Sequence, residues 1–141
     1  MARIPARLRQ QVIERARERC EYCQTQQVIV VAMEIDHIQP ESAGGETVLE
    51  NLCLACVGCN SFKLDFQSGI DPETDTETPL FNPRSQIWSE HFEWSEDGLH
   101  LIGLSPVGRA TIVRLRINRE GVVKARRRWS AAGWHPPKNE D

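Results

Sequence analysis

Apolar residues recur every fourth position at Leu8, Val12 and Ala16 with charges between them, which predicts a helix over Pro5–Arg19 with Pro5 at its first position. Such a helix would deliver Cys20 directly. Gln24–Gln27 reads as a polar turn, and the apolar run Val28, Ile29, Val30, Val31 predicts a strand reaching Ile35. Pro40 and the pair Gly44-Gly45 make Gln39–Glu46 an irregular loop. A short strand near Leu52–Ala55 follows, then a helix from Asn60 to Phe66 with Asn60 and Lys63 on one face.

Beyond this point the pattern changes. Ile70–Thr78 is acidic, threonine-rich and bounded by proline, and reads as a linker. Phe81, Trp88, His91, Phe92 and Trp94 form an aromatic cluster suited to buried packing; His91 and His100 have no neighbour at metal-ligand spacing. Phe92–Trp94 and Leu99–Leu104, joined through Asp97-Gly98, predict a β-hairpin. Ser105-Pro106 opens a helix to Arg116 as N-cap and first position. A second helix runs from Asn118 to Ala132, with Gly133 as its C′ residue. Val122, Val123 and Trp129 are its inward positions, which Arg126, Arg127 and Arg128 cannot all share. The expected division is a core at 1–69, an acidic linker at 70–78, an extension at 79–135 and a disordered tail at 136–141.

Charge is distributed unevenly over these parts. The net charge of -3 hides six arginines against two glutamates before Cys20, eight acids against Arg84 alone from Asp71 to Asp97, and eight basic residues against Glu120 from Ser105 to Trp134. Local patches govern attraction to a phosphate backbone, so the acidic total does not exclude nucleic acid. The arginines of the first helix (Arg3, Arg7, Arg9, Arg15, Arg17, Arg19) are either a solvated face or a DNA-facing one. No apolar run approaches membrane-spanning length, and the N-terminus lacks the apolar segment of a secretory signal. A cytoplasmic protein without membrane contact is the expectation. The chain of 141 residues is long enough for a modest core that a metal would reinforce.

Five cysteines carry the first piece of chemistry. Cys20 with Cys23 and Cys56 with Cys59 are two Cys-x-x-Cys pairs, each able to clamp one side of a tetrahedral ion. Together they predict a structural Zn2+ site in a reducing compartment. Cys53 falls outside both pairs and reads as a small buried hydrophobe. The long interval between the pairs must hold folded structure, and it contains Asp36, His37 and Asn51, with Asn60 following Cys59.

The series Asp36-His37, Gly44-Gly45, Asn51-Leu52 and Cys56-x-x-Cys59-Asn60-x-x-Lys63 resembles an HNH endonuclease of the zinc-bearing kind, over about Cys20–Lys63. The resemblance implies an α+β fold: a ββα-metal core with a structural four-cysteine zinc site, here extended by the C-terminal hairpin and two basic helices. It implies His37 as general base, Asp36 and Asn60 as ligands of a catalytic divalent ion, and Asn51 as the residue that orients His37. Asn60 stands where the family's name promises a second histidine. Phosphodiester hydrolysis wants such a set: a cation to stabilise charge on phosphate and leaving oxygen, and a histidine able to take a proton from water near neutral pH. Carboxylate and amide oxygens are hard donors and favour Mg2+ or Mn2+. Neighbours on a strand alternate faces, so Asp36 could share a ligand site beside His37 only if the backbone turned there. Glu34 reads as structural or solvent-facing.

Two functions from different classes follow. One is a metal-dependent endonuclease acting on DNA, with Lys63, Arg126, Arg127 and Arg128 as contacts to the phosphate backbone. The other is a zinc-stabilised DNA-binding module without turnover. Mere binding needs no combination of Asp36, His37, Asn51 and Asn60, which favours the first. RNA is a weaker third substrate, as the chain has no RNA-recognition motif. Oligomeric state is not legible.

Overall fold

The computed structural model describes residues 4–30 and 32–138. Arg3 of the expected basic face, Val31 of the expected strand and positions 139–141 of the expected tail lie outside the described residues. The chain divides into two compact units, Met1–Gln67 with Asn82–Gln86, and Ser68–Phe81 with Ile87–Asp141. Both are of mixed α and β structure with small antiparallel sheets.

In the first unit, helix α1 (Ala6–Arg15) buries Val12 against Leu52 and Leu54, with Leu8, Ala16, Met33 and Ile35 packed around them. The face legible in the sequence is therefore the face that packs. Pro5 caps the helix in extended conformation (ψ 145°) instead of entering it. The helix ends short of Arg19 because Arg17 and Glu18 take positive φ, 56° and 58°, and the Glu18 N–H reaches back to the Ile13 carbonyl at 3.1 Å. Arg15 turns its guanidinium to the Leu49 and Leu52 carbonyls, so this arginine staples the core.

Strand β1 (Met33–His37) pairs with β2 (Leu52–Cys56) in the register Met33↔Cys56 to His37↔Leu52. The strand expected from Val28 starts later. Its partner β2 ends at Cys56, so β2 offers no ladder to the described residues before Met33, and the amides of Ile29 and Val30 bond the Gln26 carbonyl in a turn that leaves Val28 exposed. Helix α2 (Val57–Lys63) also begins earlier than Asn60, because the Cys56 sulfur accepts the Cys59 N–H and acts as N-cap.

In the second unit, the acidic stretch read as a linker is instead a β-hairpin, β3 (Ser68–Asp71) against β4 (Thr76–Pro79). Asp71 is fully buried at its turn: its carboxylate accepts the Glu73 N–H (3.0 Å) and the Thr74 hydroxyl (2.8 Å), and Arg109 closes on it with Nε and Nη2 at 2.8 and 2.9 Å. The composition resembles a solvated loop, yet one buried acid with a bidentate guanidinium organises it. Those bonds, the Arg109 pair foremost, hold the Asp71 carboxyl well below its ordinary range. A depressed folded value means that the stabilisation is complete above the unfolded value of about 4 and fades as pH falls below it. We expect the melting temperature of the second unit to drop on acidification through this window, and Asp71→Asn to melt lower at neutral pH with a flatter acid limb. All tryptophans of the chain (Trp88, Trp94, Trp129, Trp134) lie in this unit, so tryptophan fluorescence reads it directly.

Strands β5 (Phe92–Trp94) and β6 (Leu101–Gly103) pair antiparallel, and Asp97 Oδ1 in their connection accepts the Ser95 hydroxyl and the Leu99 N–H. Phe81, Trp88, Phe92 and Trp94 pack ring on ring, with centroids 5.3 Å apart for Phe81–Phe92 and Trp88–Phe92. His91 bonds the Ser105 hydroxyl (2.6 Å), so it serves packing here. Ser105 caps helix α3 (Pro106–Arg114) by accepting the Gly108 N–H, and helix α4 (Glu120–Ala131) is followed by Gly133 at φ 81°.

Arg126 on α4 corrects the reading of this helix as a uniform basic grip. It is fully buried, donating to the Leu99, Ile117 and Asn118 oxygens at 2.7–3.1 Å and lying over the Trp94 ring at 5.2 Å. Oxygen acceptors at Nη1 and Nη2 and the aromatic face of Trp94 offset part of the cost of burying its charge. Arg127 and Arg128 are exposed.

Candidate functional site

The cysteine pairs converge. The sulfurs of Cys20, Cys23, Cys56 and Cys59 all lie within 4.8 Å of one another, and every one of these residues is buried. The Cys23–Cys56 sulfur separation is 3.7 Å. A tetrahedron with Zn–S arms of ~2.3 Å has edges of roughly 3.8 Å, whereas a disulfide would need ~2.05 Å. The Cys23 N–H points at the Cys20 sulfur (3.5 Å) and the Cys59 N–H at the Cys56 sulfur (3.4 Å), which supports thiolate charge at both knuckles. Hydrogen bonds from neighbouring thiols, Cys20 first, pull Cys23 and Cys56 below the ordinary thiol range, while burial pushes Cys20 well up and the neighbouring thiols, Cys20 first, push Cys59 well up. The donor set fits a structural zinc ion. Glu21, between the first pair, takes the Leu54 N–H and the Arg84 guanidinium, which ties segment 82–86 to the first cysteine knuckle. Burial pushes its carboxyl up against both partners.

Asp36 sits in the middle of the β1–β2 ladder opposite Cys53, and the backbone does not turn there. Its side chain points inward, to the face opposite His37. Oδ2 accepts the Tyr22 hydroxyl at 2.8 Å and lies 3.1 Å from the Lys63 ammonium, which is also 3.3 Å from Oδ1 and 3.4 Å from the His37 carbonyl oxygen. Lys63 is 2 % exposed, so its reading as a contact to a DNA backbone does not hold. An ammonium out of water requires a counter-charge, and Asp36 supplies it. Cys53 joins the cluster, its sulfur 3.5 Å from the Tyr22 hydroxyl. Burial pushes both Tyr22 and Cys53 well up, so each stays protonated beside the acid.

His37, at the end of β1, is part-buried with 14 % of its side chain exposed. Its Nε2 lies 2.9 Å from the Thr47 hydroxyl and 3.8 Å from Glu41 Oε1. Asn51 does not touch the ring. Instead its Oδ1 accepts the Gln39 N–H (2.8 Å), and its Nδ2 donates to the Gln39 and Glu46 carbonyls (both 2.9 Å), so it closes the loop between His37 and Thr47. The glycine pair is needed by that closure: Gly44 takes φ 89°, and a Cβ on Gly45 would meet the Gln39 carbonyl oxygen at 1.8 Å.

One open cleft of about 1390 Å³ brings these parts together. Asp36, His37 and Asn60 line it with Glu34, Glu41, Ser42 and Asp65, and Arg9 and Met33 stand among its other walls. None of the four clustered cysteines lines it. Sequence reasoning missed Tyr22 and Thr47, which carry no spacing signal: each reaches its partner only through the fold.

The first unit thus sets a buried cluster of four cysteines beside a strand-borne histidine, a loop closed by asparagine, and a helix whose Asn60 lines the same cleft as the histidine. Residues 20–65 match the family model for HNH endonuclease, and the cysteine cluster fits the zinc-bearing kind. Proteins carrying this domain are generally nucleases. No curated protein and no solved structure matches the chain. Among the described residues, no helix is long and apolar enough to cross a membrane.

Proposed function

We propose that the first unit is a metal-dependent endonuclease domain that hydrolyses phosphodiester bonds in DNA, with His37 as general base. The observation that carries this reading is the shared cleft of Asp36, His37 and Asn60, apart from the cysteine cluster. A histidine edge in a solvent-open groove can take a proton from water, a role that typically contributes about 10²–10⁴-fold to rate. Asn51 acts on His37 through the loop it closes.

Of the two expected ligands, Asn60 stands in the cleft and would hold the catalytic cation, whereas Asp36 faces away from His37 and is bound by Tyr22 and Lys63. The Asn60 amide oxygen is a hard donor suited to Mg2+ or Mn2+. Asp36 Oδ2 accepts from Tyr22 and Lys63, and Oδ1 lies 3.3 Å from the same ammonium, so the acid serves as the counter-charge of Lys63. When bound, the cation would stabilise charge on the phosphate and the leaving oxygen. Lys63 holds the acid from behind and the His37 carbonyl with it. Arg127 and Arg128 are the members of the expected basic group open to a phosphate backbone.

The test is incubation of the purified protein with supercoiled plasmid in EDTA, Mg2+ or Mn2+. Nicking that requires a divalent ion supports the endonuclease. Failure to cut with any ion, in protein that keeps zinc and binds DNA, favours the zinc-stabilised binding module.

A further inference from the structure

We infer that Thr47, together with the Glu41 carboxylate, positions His37 and sets its tautomer, an inference that rests on the endonuclease reading for its consequence but not for its geometry. A neutral imidazole has one N–H and one lone pair, and only the lone-pair nitrogen can accept a proton from water. Which nitrogen that is depends on the partner of the other.

The surroundings of the ring decide it. Nε2 faces the Thr47 hydroxyl at 2.9 Å and the Glu41 carboxylate at 3.8 Å. A hydroxyl can donate or accept, but an ionised carboxylate can only accept, so the pair together favours a proton on Nε2. Nδ1 makes no hydrogen bond among the described residues and is left with the lone pair. The Lys63 ammonium bonds the His37 backbone carbonyl and not the ring. Thr47 is itself fixed from the neighbouring peptide, since the Glu46 carbonyl accepts from Asn51 Nδ2 at 2.9 Å. A relay of Asn51, the Glu46 peptide, Thr47 and His37 results, which gives Asn51 a physical route to the ring it does not touch.

The experiment compares Thr47→Val, a near-isostere without the hydroxyl, with Thr47→Ser, which keeps it. In plasmid nicking, Thr47→Val should lose about 10–100-fold in kcat, the usual scale for an orienting partner, with KM within about twofold of wild type. Thr47→Ser should recover most of the loss. The ¹⁵N spectrum of the His37 ring, assigned by its disappearance in His37→Ala, should report the Nε2–H form in wild type and a mixture of tautomers in Thr47→Val. Full activity in Thr47→Val, a loss in Thr47→Ser equal to that in Thr47→Val, or an Nδ1–H ring in wild type would each overturn the inference. If wild type cuts nothing, the endonuclease reading fails by that result, and the ring spectrum still decides the role of Thr47.

Discussion

His37→Ala protein will keep its zinc and its fold while nicking plasmid at least about 10²-fold more slowly than wild type, the lower end of what a general base contributes. The substitution removes the ring and little else. The strand pairing His37↔Leu52 is made by the backbone, and so is the contact from Lys63, which reaches the His37 carbonyl oxygen at 3.4 Å. Asn51 still closes the loop through Gln39 and Glu46. The ring is only part-buried at the cleft edge, so its loss opens no sealed cavity. Zinc content, thermal melting and nicking rate, measured on one preparation, separate chemistry from scaffold. Cleavage within about threefold of wild type would rule out His37 as the base, since a difference that small is worth less than about 1 kcal/mol.

Cys56→Ala will behave in the opposite way, losing zinc and the structure of the first unit together. Cys56 is at once a member of the sulfur cluster, the last residue of β2 opposite Met33, and the N-cap of α2 through its bond from Cys59 N–H. A structural zinc site contributes on the order of 10–16 kcal/mol to folding, and a whole domain is typically stable by about 5–15 kcal/mol. Loss of one thiolate therefore removes an amount comparable with the total. Helix α2 carries both Asn60 and Lys63, so the cleft and the Asp36 pair would go with it. Far-UV circular dichroism with zinc determination reads the outcome, and a strong chelator should bring wild type to the same state. A Cys56→Ala protein that retains stoichiometric zinc and native ellipticity would show that the cluster does not hold the fold.

Much of the site was legible because its signals are local. Cys-x-x-Cys spacing is a property of a knuckle, and the four sulfurs do converge. The helical face of Leu8, Val12 and Ala16, the cap at Ser105 and the C′ glycine at 133 are decided within a few residues and hold in the structure. Side chains defined by distant partners were read wrongly or missed. Lys63 and Arg126 look like surface cations in a sequence, yet Asp36 and a set of backbone carbonyls bury them. The stretch from Ile70 to Thr78 has the composition of a linker, but Arg109, far along the chain, turns Asp71 into a buried anchor.

Spacing along the chain is enough to show which residue types stand at chemical distance: four thiols for one ion, and a histidine, an aspartate and two asparagines around a glycine-bearing loop. Which of them share a cleft, that Asp36 is held by Tyr22 and Lys63, and that Thr47 meets His37 Nε2 emerge from packing. The reason is physical. Spacing fixes contacts within a turn or a knuckle, whereas burial and hydrogen-bond partners across strands are set when distant segments pack and each desolvated polar group must find its complement.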